Sequence, residues 1–147
     1  MKKSAGILIY RLTNSKIEVL LVHSNGRVDS EAWSLPKGEF DPDRESPSHA
    51  AVREVHEELG LNIPESELKE LGESTYRNKR KRVYGFSWET KFRNLKLVPD
   101  RREIKKARFF PADDAGQKLH EAQIVFLDRL LDHLRNKMAL PLENDHL

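Results

Sequence analysis

Apolar residues fall along this chain in two rhythms. Near the start, Gly6-Ile7-Leu8-Ile9-Tyr10 and Glu18-Val19-Leu20-Leu21-Val22-His23 are short runs rich in β-branched side chains, divided by the turn-like Thr13-Asn14-Ser15. They predict an antiparallel pair of mostly buried strands. From Asn25 to Asp43, Gly, Pro, Asp and Ser dominate, broken only by Ala32-Trp33-Ser34-Leu35. This stretch reads as loop with one short strand. The period then changes. Ser46 followed by Pro47 is a capping residue with proline at the first helical position, and Gly60 follows Leu59 as a left-handed terminator, so a helix is predicted over Pro47 to Leu59. Val52, Val55 and Leu59 mark its core face. Segments Leu68 to Tyr76, Val83 to Phe92 and Ala107 to Phe110 have strand-like composition, and Ala122 to Leu134 places Ile124, Phe126, Leu127, Leu130, Leu131 and Leu134 at helical spacing. The order predicts an α/β fold, a central mixed sheet flanked by helices, in a single domain over residues 1–147 with a loose tail after about residue 138.

Bulk properties narrow the class. A chain of 147 residues buries roughly two thirds of its unfolded surface, enough for one core. No window reaches the roughly 18 apolar residues of a membrane helix, and Met1-Lys2-Lys3-Ser4 leads straight into a strand, so a soluble cytoplasmic protein is expected. With no cysteine, thiolate metal sites and a cysteine nucleophile are excluded, and a metal must sit on oxygen or imidazole. The net charge of +2 is too small to mark a nucleic-acid partner. Its distribution is uneven, acidic between Glu39 and Glu58 and basic between Arg77 and Arg82.

On the first helix, Glu54, Glu57 and Glu58 stand at i, i+3 and i+4, within an arc of roughly 100°. Like charges at this spacing destabilise a helix, and only Arg53, four residues before Glu57, offsets them locally. A divalent cation would resolve the conflict. Oxygen donors suit a hard ion, Mg²⁺ first and Mn²⁺ second, and Mg²⁺ is commonly shared with substrate phosphates. On spacing alone, a solvated acidic face explains the pattern equally well.

The wider context separates these readings. Gly38-Glu39-Phe40-Asp41-Pro42-Asp43-Arg44-Glu45, then seven residues, then Arg53-Glu54-Val55-His56-Glu57-Glu58-Leu59-Gly60-Leu61, resembles the signature of the Nudix hydrolases. Six residues separate Gly38 from Glu45, one more than the family's five. Ala5-Gly6-Ile7-Leu8, the Trp33 to Gly38 approach, and Glu103 with Phe109-Phe110-Pro111 are similar to further family segments. The resemblance implies an α/β/α sandwich and metal-dependent cleavage of a phosphoanhydride by water, as in MutT-like nucleoside triphosphate and dinucleoside polyphosphate pyrophosphohydrolases. It implies Glu54, Glu57 and Glu58 as metal ligands with the Gly38 carbonyl as a fourth, Arg53 as their organiser, and Glu57, another signature glutamate or Glu103 as general base.

Substrate contacts are read more weakly. Arg77, Lys79, Arg80, Lys81 and Arg82 sit at a turn between strands, as a solvated hairpin or a polyphosphate grip. Arg101, Arg102, Lys105 and Lys106 form a second basic cluster, read as a surface loop beside Glu103. Tyr76 lies sixteen residues after Gly60, near where the resemblance places a base-stacking tyrosine in diadenosine tetraphosphate hydrolases, although packing is the commoner role for such a tyrosine. Tyr84, Phe86 and Trp88 alternate along one strand as core or base pocket, and family analogy puts Lys37 and His23 near the site. The expected substrate is a small nucleoside polyphosphate, a diadenosine polyphosphate or (d)NTP, acted on by a monomer or homodimer. The alternatives are RNA 5′ ends, diphosphoinositol phosphates, a non-catalytic nucleotide-binding module, and a nonspecific RNA-binding surface that rests on the basic turn alone. GxSxG, P-loop, HExxH and GxGxxG motifs are absent.

Overall fold

The computed structural model describes residues 1–24, 32–78 and 80–145. Part of the Asn25 to Asp43 loop, and Lys79 of the basic turn, lie outside the described residues. Strand β1 spans Lys2–Thr13 and β2 spans Lys16–Ser24. They join through Asn14 and Ser15, both at positive φ (51° and 66°), which suits the twist of a tight hairpin. Then come β3 (Lys37–Glu39), helix α1 (Pro47–Leu59), β4 (Lys69–Thr75), β5 (Lys81–Glu89), β6 (Ile104–Pro111), the short helix α2 (Ala112–Lys118) and α3 (Ile124–Asp145).

The sheet runs β4-β5-β1-β2-β6, with β3 added beside β1. It is mixed: β1 and β5 are parallel over nine residue pairs, and the other pairings are antiparallel. Two apolar layers cover its faces. On one, Ala5, Ile7 and Ile9 meet Ala50, Ala51, Val55 and Leu59 of α1. On the other, Leu8, Tyr10, Val19 and Leu21 meet Ala115 of α2 and Phe126, Leu127 and Leu130 of α3. This is the α/β/α sandwich expected from the sequence. Among the described residues no helix is long and apolar enough to cross a membrane.

Helix α1 has the predicted bounds. The Ser46 side chain accepts a hydrogen bond from His49 N at 3.2 Å, and Gly60 at φ 71° donates its N–H to His56 O at 2.9 Å. Three elements differ from expectation. The 32–35 segment makes single bridges to Val22 and Leu119 and leads into β3, the three-residue strand that carries Lys37 and Gly38. Helix α2, with no clear apolar period, was not foreseen. The last helix starts after a 3₁₀ turn at Glu121–Gln123, and its backbone continues beyond Leu134 through Pro141 to Asp145.

A central opening follows from this topology. Strand β2 pairs with β1 from Ile9 to Thr13, whereas β3 pairs with it from Ser4 to Gly6. Between them the sheet forks. The fork is held by backbone hydrogen bonds from Ile7 N to Pro36 O at 3.1 Å and from Val22 N to Ser34 O at 2.7 Å. Gln123, fully buried, accepts from Leu35 N at 3.0 Å and donates to Tyr76 Oη at 3.0 Å and Ser34 Oγ at 3.3 Å.

Candidate active site

The glutamates of α1 do not share one environment. Glu54 and Glu58 are buried, at 9% and 7% exposure, with the core residues Val55 and Leu59 of the same helix. The Glu57 side chain is 54% exposed and turns toward Arg53. The i, i+3, i+4 spacing thus places two carboxylates inside and one at the rim. Among the described residues no group of three carboxylate or imidazole side chains is gathered closely enough to hold a metal ion as the side chains stand.

Arg53 accounts for this arrangement. Its Nε donates to both Glu45 oxygens at 3.1 Å, and its Nη2 also binds Glu45. Nη1 reaches Glu54 at 3.0 Å and Glu57 at 3.1 Å. One guanidinium therefore serves three carboxylates and ties the Glu45 loop to the helix. These bonds hold the Glu45 carboxyl below its ordinary range and raise the Arg53 pKa.

Glu58 lies deeper. Burial, reinforced by the charge of Glu54, pushes its pKa up to about 8, against the opposing effect of Lys37. Its Oε2 is buried without a hydrogen-bond partner. Burial also raises the Glu54 pKa, with Arg53 opposing. Gly38 faces this pair so closely that a β-carbon there would overlap the Glu54 carboxylate. The Gly38 backbone and the Glu54 carboxylate thus meet with no side chain between them.

Glu103 joins them from a distant part of the sequence. Asp100 N donates to Glu58 O and Val98 N to Leu59 O, each at 2.8 Å, so the loop before β6 is strapped to the open carbonyls at the end of α1. Glu103 N in turn bonds Asp100 O at 3.0 Å. The charge of Glu103 acts on both Glu54 and Glu58. No sequence signal identified Asp100 or Val98 as the strap, because the contact runs through backbone atoms.

The proposed substrate contacts separate. Lys37 lies beside Glu58, and both line a small cavity in the fork with Val22, Ser24 and Ser34. At Ala32 this cavity adjoins a cleft of about 600 Å³ bordered by His23, Trp33, Lys105, Lys106 and Lys118. Tyr76 is stacked on His120, ring centroids 4.7 Å apart, with the Lys81 ammonium 5.2 Å from its centroid. Tyr84 packs edge-on to Phe40 and borders a different groove with Ser46 and Glu73. Trp88 is in the core. Arg82 faces Glu73 at 3.9 Å, Arg77 faces Glu121 at 3.2 Å, and the Arg80 N–H binds Asn78 Oδ1 in the hairpin. Neither Tyr84 nor these arginines line the Glu58 cavity or its neighbouring cleft.

Comparison with known proteins points to one family. The family model described as "NUDIX domain" matches residues 2–131. Diphosphoinositol polyphosphate phosphohydrolase 2 of Homo sapiens is 40% identical over 83 residues, 56% of this chain and 44% of that protein. The asymmetrical bis(5′-nucleosyl)-tetraphosphatase of Caenorhabditis elegans is 41% identical over 59 residues, 40% of this chain and 41% of that protein. The match thus spans less than half the length of these curated relatives. Among solved structures, a C. elegans Ap4A hydrolase binary complex superposes with a TM-score of 0.71 at 21% identity, covering 92% of this chain and 99% of that one. The NUDIX domain of Shewanella oneidensis NrtR, solved with ADP ribose, gives the same TM-score at 14% identity, covering 90% and 87%. At these identities the structural likeness shows the fold.

Proposed function

The chain belongs to the NUDIX domain family, whose hydrolases generally depend on a divalent metal, and from that membership we propose that it is a pyrophosphohydrolase of nucleoside polyphosphates, dinucleoside forms first. The observation that carries the proposal is the buried pair Glu54 and Glu58, with Glu54 set against the Gly38 backbone and Glu58 Oε2 lacking any hydrogen-bond partner. A carboxylate oxygen buried in this way costs free energy unless a cation or proton meets it. The donor set is all oxygen, which fits Mg²⁺ and, next, Mn²⁺. Glu54, Glu57, Glu58 and the Gly38 carbonyl would hold the ion.

When bound, the metal supplies charge to the phosphoanhydride oxygens and lowers the pKa of the attacking water. The chain's own groups do the rest. Arg53 keeps Glu54 and Glu57 oriented and fixes the Glu45 loop. Lys37, beside Glu58, offers a cation to a substrate phosphate entering the fork. Glu57, another glutamate of α1 or Glu103 would take a proton from water as it attacks phosphorus. The P–O bond to the bridging oxygen then breaks, and the leaving phosphate carries that oxygen away.

A second reading within the same chemistry is a diphosphoinositol phosphate substrate. It is favoured by the longer match to the diphosphoinositol enzyme, 83 residues against 59. The deciding measurement is hydrolysis of diadenosine tetraphosphate, a dNTP, 5′-triphosphate RNA and a diphosphoinositol phosphate, with Mg²⁺ and with chelator. Activity is expected with the metal alone, and Glu57→Gln or Glu58→Gln should lower kcat by about 100-fold or more, the scale of losing several kcal/mol of transition-state stabilisation. Hydrolysis that survives chelation, or both substitutions, removes this function.

A further inference from the structure

Among the described residues, Gln123 is the one polar group among the large side chains buried almost completely, at 1% exposure. Burying an amide costs free energy unless its donors and its acceptor are met. Here Oε1 accepts from Leu35 N at 3.0 Å, and Nε2 donates to Tyr76 Oη at 3.0 Å and to Ser34 Oγ at 3.3 Å. Ser34 Oγ in turn donates to Leu35 O at 2.6 Å. Its proton is thereby committed, so toward Gln123 the hydroxyl can only accept, which fixes the amide with Nε2 toward Ser34 and Oε1 toward Leu35. Both backbone groups of Leu35 are thus held, the N–H by Gln123 and the carbonyl by Ser34.

The turn that carries Gln123 is itself pinned. His120 Nδ1 accepts from Ala122 N at 3.1 Å, Gln123 N donates to His120 O at 2.9 Å, and Ser74 Oγ of β4 donates to Ala122 O at 2.6 Å. The Tyr76 ring stacks on His120, which sets its hydroxyl against the Gln123 amide. Just before the gripped segment, Trp33 N donates to Lys118 O at 2.8 Å and Trp33 O accepts from His120 N at 2.9 Å. Beyond it the chain has no slack. Only Pro36 separates Leu35 from Lys37, with its φ fixed by the ring and its carbonyl accepting from Ile7 N at 3.1 Å. A β-carbon on Gly6 would overlap Leu35 Cδ1, the Pro36 carbonyl and Lys37 Cβ, so residues 35–37 lie flush on β1. Lys37 then gives Glu58 a backbone hydrogen bond, and Gly38 meets the Glu54 carboxylate. A shift of Leu35 therefore carries to both buried carboxylates.

We infer that Gln123, set by the Tyr76 hydroxyl, is a positioning residue for the metal-binding cradle: through Leu35 it fixes how the Lys37–Gly38 backbone stands against Glu58 and Glu54. The inference rests on the reading of those two carboxylates as metal ligands. It gives Tyr76 a part in the site through its hydroxyl, since one face of its ring is taken by His120. It also joins α3 and the end of β4, which carry no ligand of their own, to the affinity of the site for its ion.

Metal binding without turnover tests this. The full chain is titrated with Mn²⁺ in the absence of substrate, the free ion being read by electron paramagnetic resonance. Gln123→Met keeps the length of the side chain and removes its hydrogen bonds. It is measured beside Ser34→Ala, Tyr76→Phe, and Leu134→Ala as a control that loses buried packing elsewhere on α3. Gln123→Met is expected to weaken Mn²⁺ binding about tenfold or more, the usual scale for a group that orients ligands from behind, and Ser34→Ala and Tyr76→Phe about threefold each. Leu134→Ala should lower the melting temperature and leave Mn²⁺ affinity within about twofold of the parent. If Gln123→Met does not fold, Ser34→Ala and Tyr76→Phe decide by the same measure. Affinity within about twofold of the parent in the Gln123, Ser34 and Tyr76 variants, or an equal loss in Leu134→Ala, overturns the inference and leaves the reading of Glu54 and Glu58 in place. A parent chain that binds no Mn²⁺ overturns both.

Discussion

Gly38 is where one hydrogen atom matters most. A methyl group at this position would overlap the Glu54 carboxylate, and because that carboxylate ends a flexible side chain, the fold can yield by moving it. Gly38→Ala is therefore expected to leave the melting temperature nearly unchanged and to weaken Mg²⁺ activation at least tenfold, read as the metal concentration for half-maximal hydrolysis. Glu58 gives a second prediction at the same scale. Its carboxyl is protonated up to about pH 8 in the folded, metal-free chain but ionises near 4.5 when unfolded. Between those values the folded state holds the extra proton, so stability falls as pH rises through the window, by on the order of a few kcal/mol. Thermal melts in chelator should show this decline between about pH 4.5 and 8, and Glu58→Gln should flatten it. An equal slope in the variant assigns the decline to other groups. What the sequence made legible here was local: Arg53, Glu54, Glu57, Glu58 and Glu45 lie within fourteen positions on one element and its loop. That Glu54 and Glu58 are buried and Glu57 is not depends on Lys37, Gly38 and Asp100 arriving from elsewhere, which spacing along a helix cannot express.

At the scale of elements, the same contrast recurs. Helix α1 was readable to its ends because each end is a local event, a serine oxygen on His49 N and a left-handed Gly60. Ser46→Ala should cost about 1 kcal/mol in denaturant unfolding, the usual loss of a cap, while kcat stays within a few-fold of the parent. Strand β3 was hidden because three residues show no alternation, and Lys37-Gly38-Glu39 pairs only because β2 has left the edge of β1 free. Helix α2, Ala112–Lys118, buries little besides Ala115, so its sequence has no apolar face to detect. Yet these two elements, with the strap before β6, supply Lys37, Gly38, the Lys118 carbonyl that holds Trp33, and the placement of Glu103. Gln123 illustrates the point from the interior. A glutamine in an apolar helical run looks like surface, but here it binds Leu35, Ser34 and Tyr76 at once. Gln123→Leu leaves the Leu35 N–H without its acceptor and should destabilise the protein by about 1 to 3 kcal/mol.

For the whole molecule, the class of fold was legible because two strand runs and two amphipathic helices bound by turn residues leave few compact arrangements. Strand order was not, since apolar runs do not say which run lies next to which. The parallel pairing of β1 with β5 joins Lys2 to Lys81 and Tyr10 to Glu89, so the central strand finds its partner 79 residues later in the chain. A chain shortened to residues 1–76 lacks β5 and exposes a full edge of β1. Circular dichroism of that piece should show little ordered sheet, and a folded spectrum would mean that the hairpin and α1 suffice alone. During synthesis at roughly 5 to 20 residues per second, the first strand emerges several seconds to more than ten seconds ahead of the segment that completes it. Through that interval an apolar strand of the nascent chain has a bare edge open to other chains, so the yield of native protein in the cell is tied to the pace of translation and to chaperone cover before residue 89.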